Sequence, residues 1–574
     1  MLIRKLKFII FFIFFCQLSY SQNNKTQNLF SSPVNIPIKL AGTFGELRTG
    51  HFHAGIDIKT NGVSGKIIKA ISDGYVSRIK ISANGYGHAI YLTHPNNITS
   101  VYGHLSKYNS KLNKYVKKYQ YEHQAFEVNI ILKPNEFPVK KGDIIGFSGN
   151  TGGTMGPHLH FELRNTSNQH PINPLLFNFN ITDNITPKIY YLACYPLDKR
   201  SFINNKNKKI IIPVKLIGNT YKLIDYDKLE LSGNIGFGIE TYDYINNSRN
   251  KCGVNTIELA INKKTIFEYQ INEFDFSETR YINSHIDYAE KEISNRKIQK
   301  TYIEPNNNLS TYRNIINNGI FNFENNKNYE IEISVYDSYK NKSTLQFTAI
   351  GVTSNSISKD TILFDSTKTI SWDKDYTFKN DEIQIQISKY SLYNDLEFCY
   401  SISKPLVGTY SSLHHIHNIY TPLHKPISLS IHTNNIPADL KEKALIVRID
   451  KDGKLYPIKG NAINSHIIGI SKSFGDYFVM LDTIAPKISP LFNSNKFTKE
   501  KKISFKITDN LSGIKTYNGY IDNNWVLFEY DLKNDLLFFT FDKEKIKKNI
   551  NHELEIFIID NKNNIETYYT TFFW

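Results

Sequence analysis

The sequence predicts an all-β protein built from several domains. Short segments in which apolar and polar residues alternate recur along the chain of 574 residues, and Gly, Pro and Asn separate them. Two pairs of similar segments form an internal repeat in the C-terminal part. The length is enough for three or four domains of typical size.

The N-terminus has the pattern of a secretory signal peptide over residues 1–21. Three basic residues precede an apolar run over 8–15, and Ser19-Tyr20-Ser21 precedes the expected cleavage point. The run is far shorter than the roughly 20 residues of a spanning helix, so we expect no stable transmembrane anchor. Lipidation at Cys16 is disfavoured because the bulky Phe15 precedes it.

Residues 29–180 are predicted to form an antiparallel β domain with a groove. Segments such as KIIKAISDGYVSRIKIS, AIYLTHP and SVYGHL read as strands separated by turns. The stretch 106–141 is longer than a hairpin needs, and SKLNKYVKKYQYEHQAFEV within it predicts a short helix followed by a strand. Connections of this length often shape a substrate site.

A glycine-rich loop leads into a short strand that carries two histidines. The stretch Gly149–Leu163 reads GNTGGTMGPHLHFEL. His158 and His160 point to the same face of the strand, about 7 Å apart by the strand rise. With 17 histidines in the chain, such a pair alone proves little.

A second cluster upstream supplies a further imidazole and a carboxylate. His53 and Asp57 lie in HAGID, and on a straight strand they would be about 13 Å apart. A helix is disfavoured by Gly55 and the β-branched residues after it, so we expect a bend or bulge at Ala54-Gly55. Two imidazoles and one carboxylate suit a zinc site whose fourth position stays open for water.

The three segments FHAGIDI, YGHL and GNTGGTMGPHLHFEL resemble, in this order, the motifs of lysostaphin-like (LytM-type) zinc endopeptidases, which cut peptidoglycan peptides. The resemblance covers about residues 30–177. It implies that His53, Asp57 and His160 are zinc ligands. It implies that His104 and His158 are the catalytic pair, without saying which of them acts as the base.

Other polar residues near the motifs are expected to have lesser roles. His51 forms an HFH pair with His53, but only His53 has Asp four residues later, so His51 is interpreted as a rim residue. His88 and His94 are interpreted as structural. Arg48 is interpreted as a pocket or packing residue.

The remaining sequence is interpreted as three β domains at 181–352, 353–481 and 482–574. DNITPKIYYL at Asp183 is echoed by DTIAPKISPL at Asp482. The strand-rich segments that begin at 328 and 551 are also similar. The first and third domains therefore resemble immunoglobulin-like β-sandwiches. A charged, helix-prone insertion near 285–314 interrupts the first one.

Two further clusters are given a structural interpretation. His414, His415, His417 and His424 have no carboxylate or cysteine at ligand spacing, so a second metal site there is disfavoured. Asp183 and Asp482 are interpreted as turns that begin their domains, without a role in acid–base chemistry.

Composition limits the classes of partner. The net charge of +15 comes from Lys spread among many Asn, Ile and Tyr, and it is interpreted as compositional bias. No nucleic-acid motif is present, so nucleic-acid binding is not expected. Cys194, Cys252 and Cys399 are too few for a disulfide framework; a bridge between Cys194 and Cys252 is possible, but buried free thiols are expected.

The resemblance predicts a secreted zinc metalloendopeptidase that hydrolyses peptide crosslinks or stems of peptidoglycan through a metal-activated water. We expect one Zn²⁺ in the catalytic domain, and a location in the bacterial periplasm, cell envelope or cell surface. The β domains after it could bind an envelope protein. One alternative is a non-catalytic scaffold that activates another cell-wall hydrolase, and a second is an adhesion protein led by its β domains.

Overall fold

The computed structural model describes residues 30–353 and 368–574, and it confirms the all-β prediction. The predicted signal peptide at residues 1–21 lies outside the described residues. No helix in the described ranges is long and apolar enough to cross a membrane.

A nine-stranded antiparallel sheet forms the centre of the N-terminal domain. In spatial order its main strands are Leu40–Gly42, Ile56–Lys59, His158–Asn165, Ile98–Gly103, His88–Thr93, Gly74–Ile81 and Val128–Ile131. Pro171–Ile172 and Pro138–Val139 pair with two of these strands. A three-stranded sheet of Ile67–Lys69, Ile144–Ser148 and Leu105–Tyr108 lies beside it, and Leu47–Arg48 pairs with His51–Phe52.

The chain bends at Gly55, between the strands His51–Phe52 and Ile56–Lys59, where a bend was expected. The bend turns His53 back towards Asp57. Gly55 packs directly on the neighbouring strand, because a Cβ atom at this position would lie 2.3 Å from the carbonyl oxygen of Phe161.

We therefore expect Gly55→Ala to destabilise the fold. Forcing a methyl group against a backbone carbonyl strains a close-packed interior, and overpacking of this kind typically costs about 1–3 kcal/mol. The shift in the thermal unfolding midpoint of the full chain measures the effect. Gly156→Ala is the matched control, because a Cβ at Gly156 meets no atom within 4 Å. Equal midpoints for the two variants would contradict the expectation.

The long connection after Leu105–Tyr108 contains the predicted helix and strand, Ser110–Glu122 and Val128–Ile131. The helix begins after Asn109, whose side chain accepts a hydrogen bond from the Leu112 amide at 3.0 Å. The helix also contacts residues near the C-terminus of the chain. Lys117 pairs with Asp542, and the Tyr121 ring meets Trp525 with ring centroids 5.3 Å apart.

The region after the N-terminal domain forms one continuous sheet of twelve strands. In order these are Phe202–Ile203, Leu229–Tyr242, Lys188–Pro196, Ile210–Ile217, Thr220–Leu223, Lys342–Gly351, Asn328–Tyr336, Thr256–Ile261, Lys264–Gln270 and Tyr312–Arg313, with Ile298–Lys300 and Phe321–Phe323 paired to Leu229–Tyr242. Short helices at Ile282–His285 and Tyr288–Ser294 lie near the expected insertion. Cys194 and Cys252 are buried free thiols.

The segment that carries His53 is held by this twelve-stranded region. The rings of Phe44 and Phe52 pack on Phe274, with centroids 5.5 and 5.8 Å apart. The Phe52 amide donates to the Thr279 hydroxyl at 2.9 Å. The twelve-stranded region thus contributes directly to the position of His53, one of the candidate ligands.

The last two regions each consist of two facing antiparallel sheets. In the first of these regions, one sheet consists of Tyr376–Lys379, Ile383–Ile387, Pro422–His432, His466–Ser473 and Gly460–Ile463. The facing sheet consists of Tyr400–Ser403, Leu413–Ile416, Gly475–Leu481, Ala444–Ile449 and Leu455–Ile458. A separate strand pair is formed by Lys368–Ile370 and Leu396–Phe398. In the second region, one sheet consists of Lys487–Pro490, Lys502–Thr508, Leu536–Thr540 and Phe528–Asp531. The facing sheet consists of Asn524–Val526, Ile514–Ile521, Asn551–Asp560 and Ile565–Phe573. Buried side chains from both sheets of each pair share one core. The domain limits given above and their immunoglobulin-like character stay predictions.

Candidate metal centre

Sheet register brings the candidate ligands together. Asp57 lies directly opposite His160 on the neighbouring strand, and His160 lies opposite Gly103 on the next one. His104 follows Gly103 immediately, in a left-handed backbone conformation with φ of 60°. Residues that are far apart in sequence therefore form one row across three strands.

His53, Asp57 and His160 converge on one point. Asp57 Oδ1 lies 3.1 Å from His53 Nε2 and 3.0 Å from His160 Nδ1, and the two ring nitrogens are 3.1 Å apart. All three residues are buried, with exposed fractions of 5–7%. The three atoms form a compact set that could hold one metal ion.

The partners of the two imidazoles show that the set suits a cation. His53 Nδ1 lies 2.7 Å from the Thr43 carbonyl oxygen, and His160 Nε2 lies 2.7 Å from Glu162 Oε1. Both partners only accept hydrogen bonds, so in the neutral rings these nitrogens carry the hydrogens. The inner nitrogens then face Asp57 as lone pairs. Three acceptors without a donor between them repel one another unless a cation lies among them.

The pKa values of two candidate ligands, Asp57 and His160, also reflect these close contacts. Burial alone would raise the pKa of Asp57, but the neighbouring histidines, when their rings carry a second proton, hold it well below its usual range through the charge of His53 and hydrogen bonds from His158 and His160. Burial would lower the pKa of His160, but hydrogen bonds to Asp57 and Glu162 raise it to about 9. A proton and a metal ion therefore compete for the same inner nitrogen.

His104 and His158 lie beside this set. Their rings meet edge to face with centroids 4.8 Å apart, and the His104 and His160 centroids are 5.8 Å apart. His104 Nδ1 lies 2.8 Å from the Thr151 carbonyl oxygen, which leaves Nε2 of the neutral ring as an acceptor. Burial, reinforced by His160 and His158, lowers the pKa of His104 to about 3. His104 is therefore neutral at physiological pH.

The structure adds residues to which the sequence interpretation gave no role. Glu162 is fully buried between His160 and Arg164, and the Arg164 Nε donates to Glu162 Oε2 at 2.6 Å. The ring of Tyr86 stacks on His160 with centroids 5.0 Å apart. The sequence contained a signal for Glu162 and Arg164. They follow His158 and His160 at intervals of two residues, so all four side chains share one face of the strand.

We expect Glu162→Gln to weaken metal binding about 10- to 100-fold, the usual cost of losing a partner of a metal-binding histidine. The substitution keeps an acceptor of similar shape but removes the charge that orients His160 and pairs with Arg164. Competition with a chelator of known zinc affinity measures the change. Glu122→Gln, at an exposed glutamate of the helix, is the control. Unchanged affinity in Glu162→Gln would show that Glu162 does not position the ligand.

The other residues singled out in the sequence lie outside the convergent set. The side chain of His51 is exposed, and its Nδ1 contacts the Thr49 carbonyl oxygen at 3.0 Å. His94 is buried and hydrogen-bonded to Asp73 and Ser100, and burial lowers the pKa of His88 to about 4. Arg48 contacts Asp57 Oδ2 and Glu46 Oε2 at 3.0 Å each, so it packs against a candidate ligand.

The four histidines at 414–424 do not converge. His414 bonds Tyr400, His415 bonds Asp476 and Ser403, His417 bonds Thr421 and Cys399, and His424 stacks on Tyr281. Within residues 30–353 and 368–574, no group of three ligand atoms within 4.8 Å includes them. A carboxylate and a thiol do lie beside two of these histidines, through contacts between strands that sequence spacing does not show.

Residues 51–121 and 119–174 match the model of peptidase family M23. This part of the chain is a peptidase family M23 domain. Residues 367–482 match a second model, described as a Zu5-like domain.

Curated relatives are similar to this chain over less than a quarter of its length. The DD-carboxypeptidase/endopeptidase Mpg of Neisseria meningitidis is 33% identical over 129 residues, which are 22% of this chain and 23% of that protein. Lysostaphin of Staphylococcus simulans is 34% identical over 131 residues, 22% of each chain. The match therefore spans about a quarter of the length of these relatives.

Solved M23 domains are also similar. The catalytic domain of lysostaphin from S. simulans has 29% identity and a TM-score of 0.19, with 24% of this chain and 90% of that chain covered. The catalytic domain of the prophage-encoded M23 protein EnpA from Enterococcus faecalis has 27% identity and a TM-score of 0.19, with 25% and 95% covered.

Proposed function

We propose that the protein is a secreted zinc metalloendopeptidase that hydrolyses peptide crosslinks or stems of peptidoglycan. The observation that carries the proposal is the convergence of His53, Asp57 and His160 in an M23 domain, with two further imidazoles beside them. Two nitrogens and one carboxylate oxygen are a donor set that zinc accepts.

The number of converging protein ligands, three, favours catalysis over a structural role. Structural zinc sites are closed by four protein ligands, whereas catalytic sites have three and leave one position for water or substrate. A bound zinc ion would lower the pKa of water to about 7 and polarise a substrate carbonyl. Asp57 and Glu162 place negative charge around the two histidines, which favours the cation.

The chain's own contribution to the chemistry comes from His104 and His158. His104 is buried, and its Nδ1 contacts the Thr151 carbonyl oxygen, so Nε2 of the neutral ring faces the site as a proton acceptor. His158 is half-buried, and its Nε2 lies 3.4 Å from Asp57 Oδ1. His158 Nδ1 lies 2.9 Å from the Gly156 carbonyl oxygen, so Nε2 carries a proton when the ring is an imidazolium. That proton could stabilise a developing oxyanion or reach a leaving amine.

The remaining regions support a role in the cell envelope. The pattern over residues 1–21 favours export into the bacterial periplasm or to the cell surface, and the β domains offer a surface for an envelope partner. The names of the relatives support a wall peptide as the substrate, since one is called a carboxypeptidase/endopeptidase and the other lysostaphin.

A direct test compares hydrolysis with activation of another enzyme. Mature protein with one zinc ion per chain is incubated with purified crosslinked peptidoglycan, alone and together with a separate wall hydrolase. Release of soluble peptides by the protein alone supports the proposal. Stimulation of the second enzyme without any release by the protein alone would replace it with the scaffold alternative.

A further inference from the structure

Three carboxylates converge at one end of the twelve-stranded sheet. Asp183 lies in the segment before Lys188–Pro196, Asp243 directly follows the strand Leu229–Tyr242, and Asp337 directly follows Asn328–Tyr336. One oxygen from each lies within 4.8 Å of the other two. This cluster is separate from the candidate metal centre.

The last pair of sheets contains the same arrangement. Asp482 precedes Lys487–Pro490, Asp509 directly follows Lys502–Thr508, and Asp560 ends the strand Asn551–Asp560. The equivalence extends beyond Asp183 and Asp482, which mark the sequence repeat, because the second and third aspartates follow corresponding strands. Two copies of one cluster in a single chain indicate that both clusters have the same role.

The hydrogen bonds around the clusters are also repeated. Asp337 Oδ1 accepts from the Asn341 amide, and Asp560 Oδ1 accepts from the Asn564 amide, both at 2.8 Å. The side-chain amides of these asparagines donate to the carbonyl oxygens of Asp183 and Asp482, at 3.2 and 2.9 Å. In each copy the third aspartate is thus locked in place beside the leading segment.

Each cluster holds buried carboxylate oxygens that have no donor. Asp243 is 2% exposed and Asp482 is 1% exposed, and Oδ1 of each has no hydrogen-bond partner. Asp183 Oδ2 and Asp509 Oδ1 are also buried without a partner. An uncompensated buried carboxylate is costly, and natural structures pair such groups or bind a cation to them.

Protein cations do not compensate these oxygens. Among the described residues, none of the six carboxylates forms an ion pair with Lys or Arg within 4.0 Å. Lys443 and Lys562 lie beside the second cluster, but their ammonium groups donate to oxygens of Lys562, Asn564 and Gly460. Burial, followed by the charges of Asp337 and Asp183, raises the pKa of Asp243 to about 8.

We propose that each aspartate cluster binds one calcium ion, so that the chain carries two Ca²⁺ sites besides the candidate metal centre. The donors are all oxygens, which suits a hard cation rather than zinc or copper. Calcium tolerates irregular geometry and several carboxylates, whereas Mg²⁺ demands a near-ideal octahedron. Each ion would tie the leading segment of its region to the ends of two strands. Asp183 of the first site lies shortly after the M23 domain, and Asp482 of the second is the last residue of the Zu5-like segment.

Calcium titration of the full-length protein tests the proposal. The protein is stripped with a chelator, dialysed, reloaded with one equivalent of Zn²⁺, and titrated with CaCl₂ by calorimetry. We expect two Ca²⁺ per chain, one in Asp243→Asn, one in Asp509→Asn and none in the double variant, with zinc content unchanged throughout. Asp227→Asn, at an exposed aspartate, should retain both ions.

Thermal unfolding of the same proteins distinguishes a cation site from carboxyls that share protons. Bound calcium stabilises the native state by mass action, so the wild-type unfolding midpoint should rise with CaCl₂ and the double variant should not respond. A wild type that shows neither calcium binding nor a shift would overturn the proposal, as would two ions that remain bound in the double variant. Equal or tighter binding of Mg²⁺ would overturn the assignment to calcium.

Discussion

His53→Ala is expected to abolish stoichiometric zinc binding and to reduce peptide hydrolysis at least about 10³-fold. The change removes one of three converging ligands and leaves Asp57 and His160 to hold the ion alone. A metal ion contributes several kcal/mol to the stabilisation of charge in the transition state. About 4 kcal/mol corresponds to a factor of 10³ in rate.

His51→Ala is the matched control for this variant. His51 and His53 belong to the same HFH segment, but His51 is exposed and its Nδ1 contacts the backbone carbonyl of Thr49. Zinc content by atomic emission and initial rates on a wall peptide should match the wild type in His51→Ala. Loss of zinc in His51→Ala together with its retention in His53→Ala would show that His51, and not His53, is the zinc ligand.

The second large effect concerns His104. We expect His104→Asn to lower kcat about 10²- to 10⁴-fold while zinc stays bound, because the variant removes a proton acceptor and no ligand. Asparagine is chosen because His104 has a φ of 60°, a conformation that asparagine tolerates better than alanine. His123→Asn, at an exposed histidine of the same domain, should leave kcat unchanged.

The pH profile of kcat separates the roles of the two catalytic candidates. The variant that lacks the general base should lose the acidic limb of the bell-shaped profile, and the variant that lacks the general acid should lose the alkaline limb. Comparison of His104→Asn with His158→Gln therefore assigns each role. A wild-type profile in both variants would remove the pair from the mechanism.

The sequence predicted those parts of the fold and site that depend on local pattern. Period-2 alternation predicted strands, the segment after Ser110 predicted a helix, and Gly55 predicted the bend that brings His53 to Asp57. The motif order predicted the M23 domain. These features depend on residues close in sequence or on motifs that keep their spacing.

Features that depend on long-range contacts were not predictable in the same way. The Thr43 carbonyl that orients His53 is a backbone group, so no side chain signals it. Twelve strands joined into one sheet follow from pairings between distant segments. Asp183 and Asp482 were recognised as a repeat, but only the fold shows that Asp243 and Asp509 converge on them.

The most direct test of the proposed function is mass spectrometry of fragments released from purified crosslinked peptidoglycan. Wild-type protein is compared with His160→Ala and with chelator-treated protein before and after zinc is restored. The proposal predicts loss of crosslinked fragments with the wild type, none with His160→Ala, and recovery when zinc is added back. Equal cleavage by His160→Ala, or intact crosslinks and stems with zinc-loaded wild type, would contradict it.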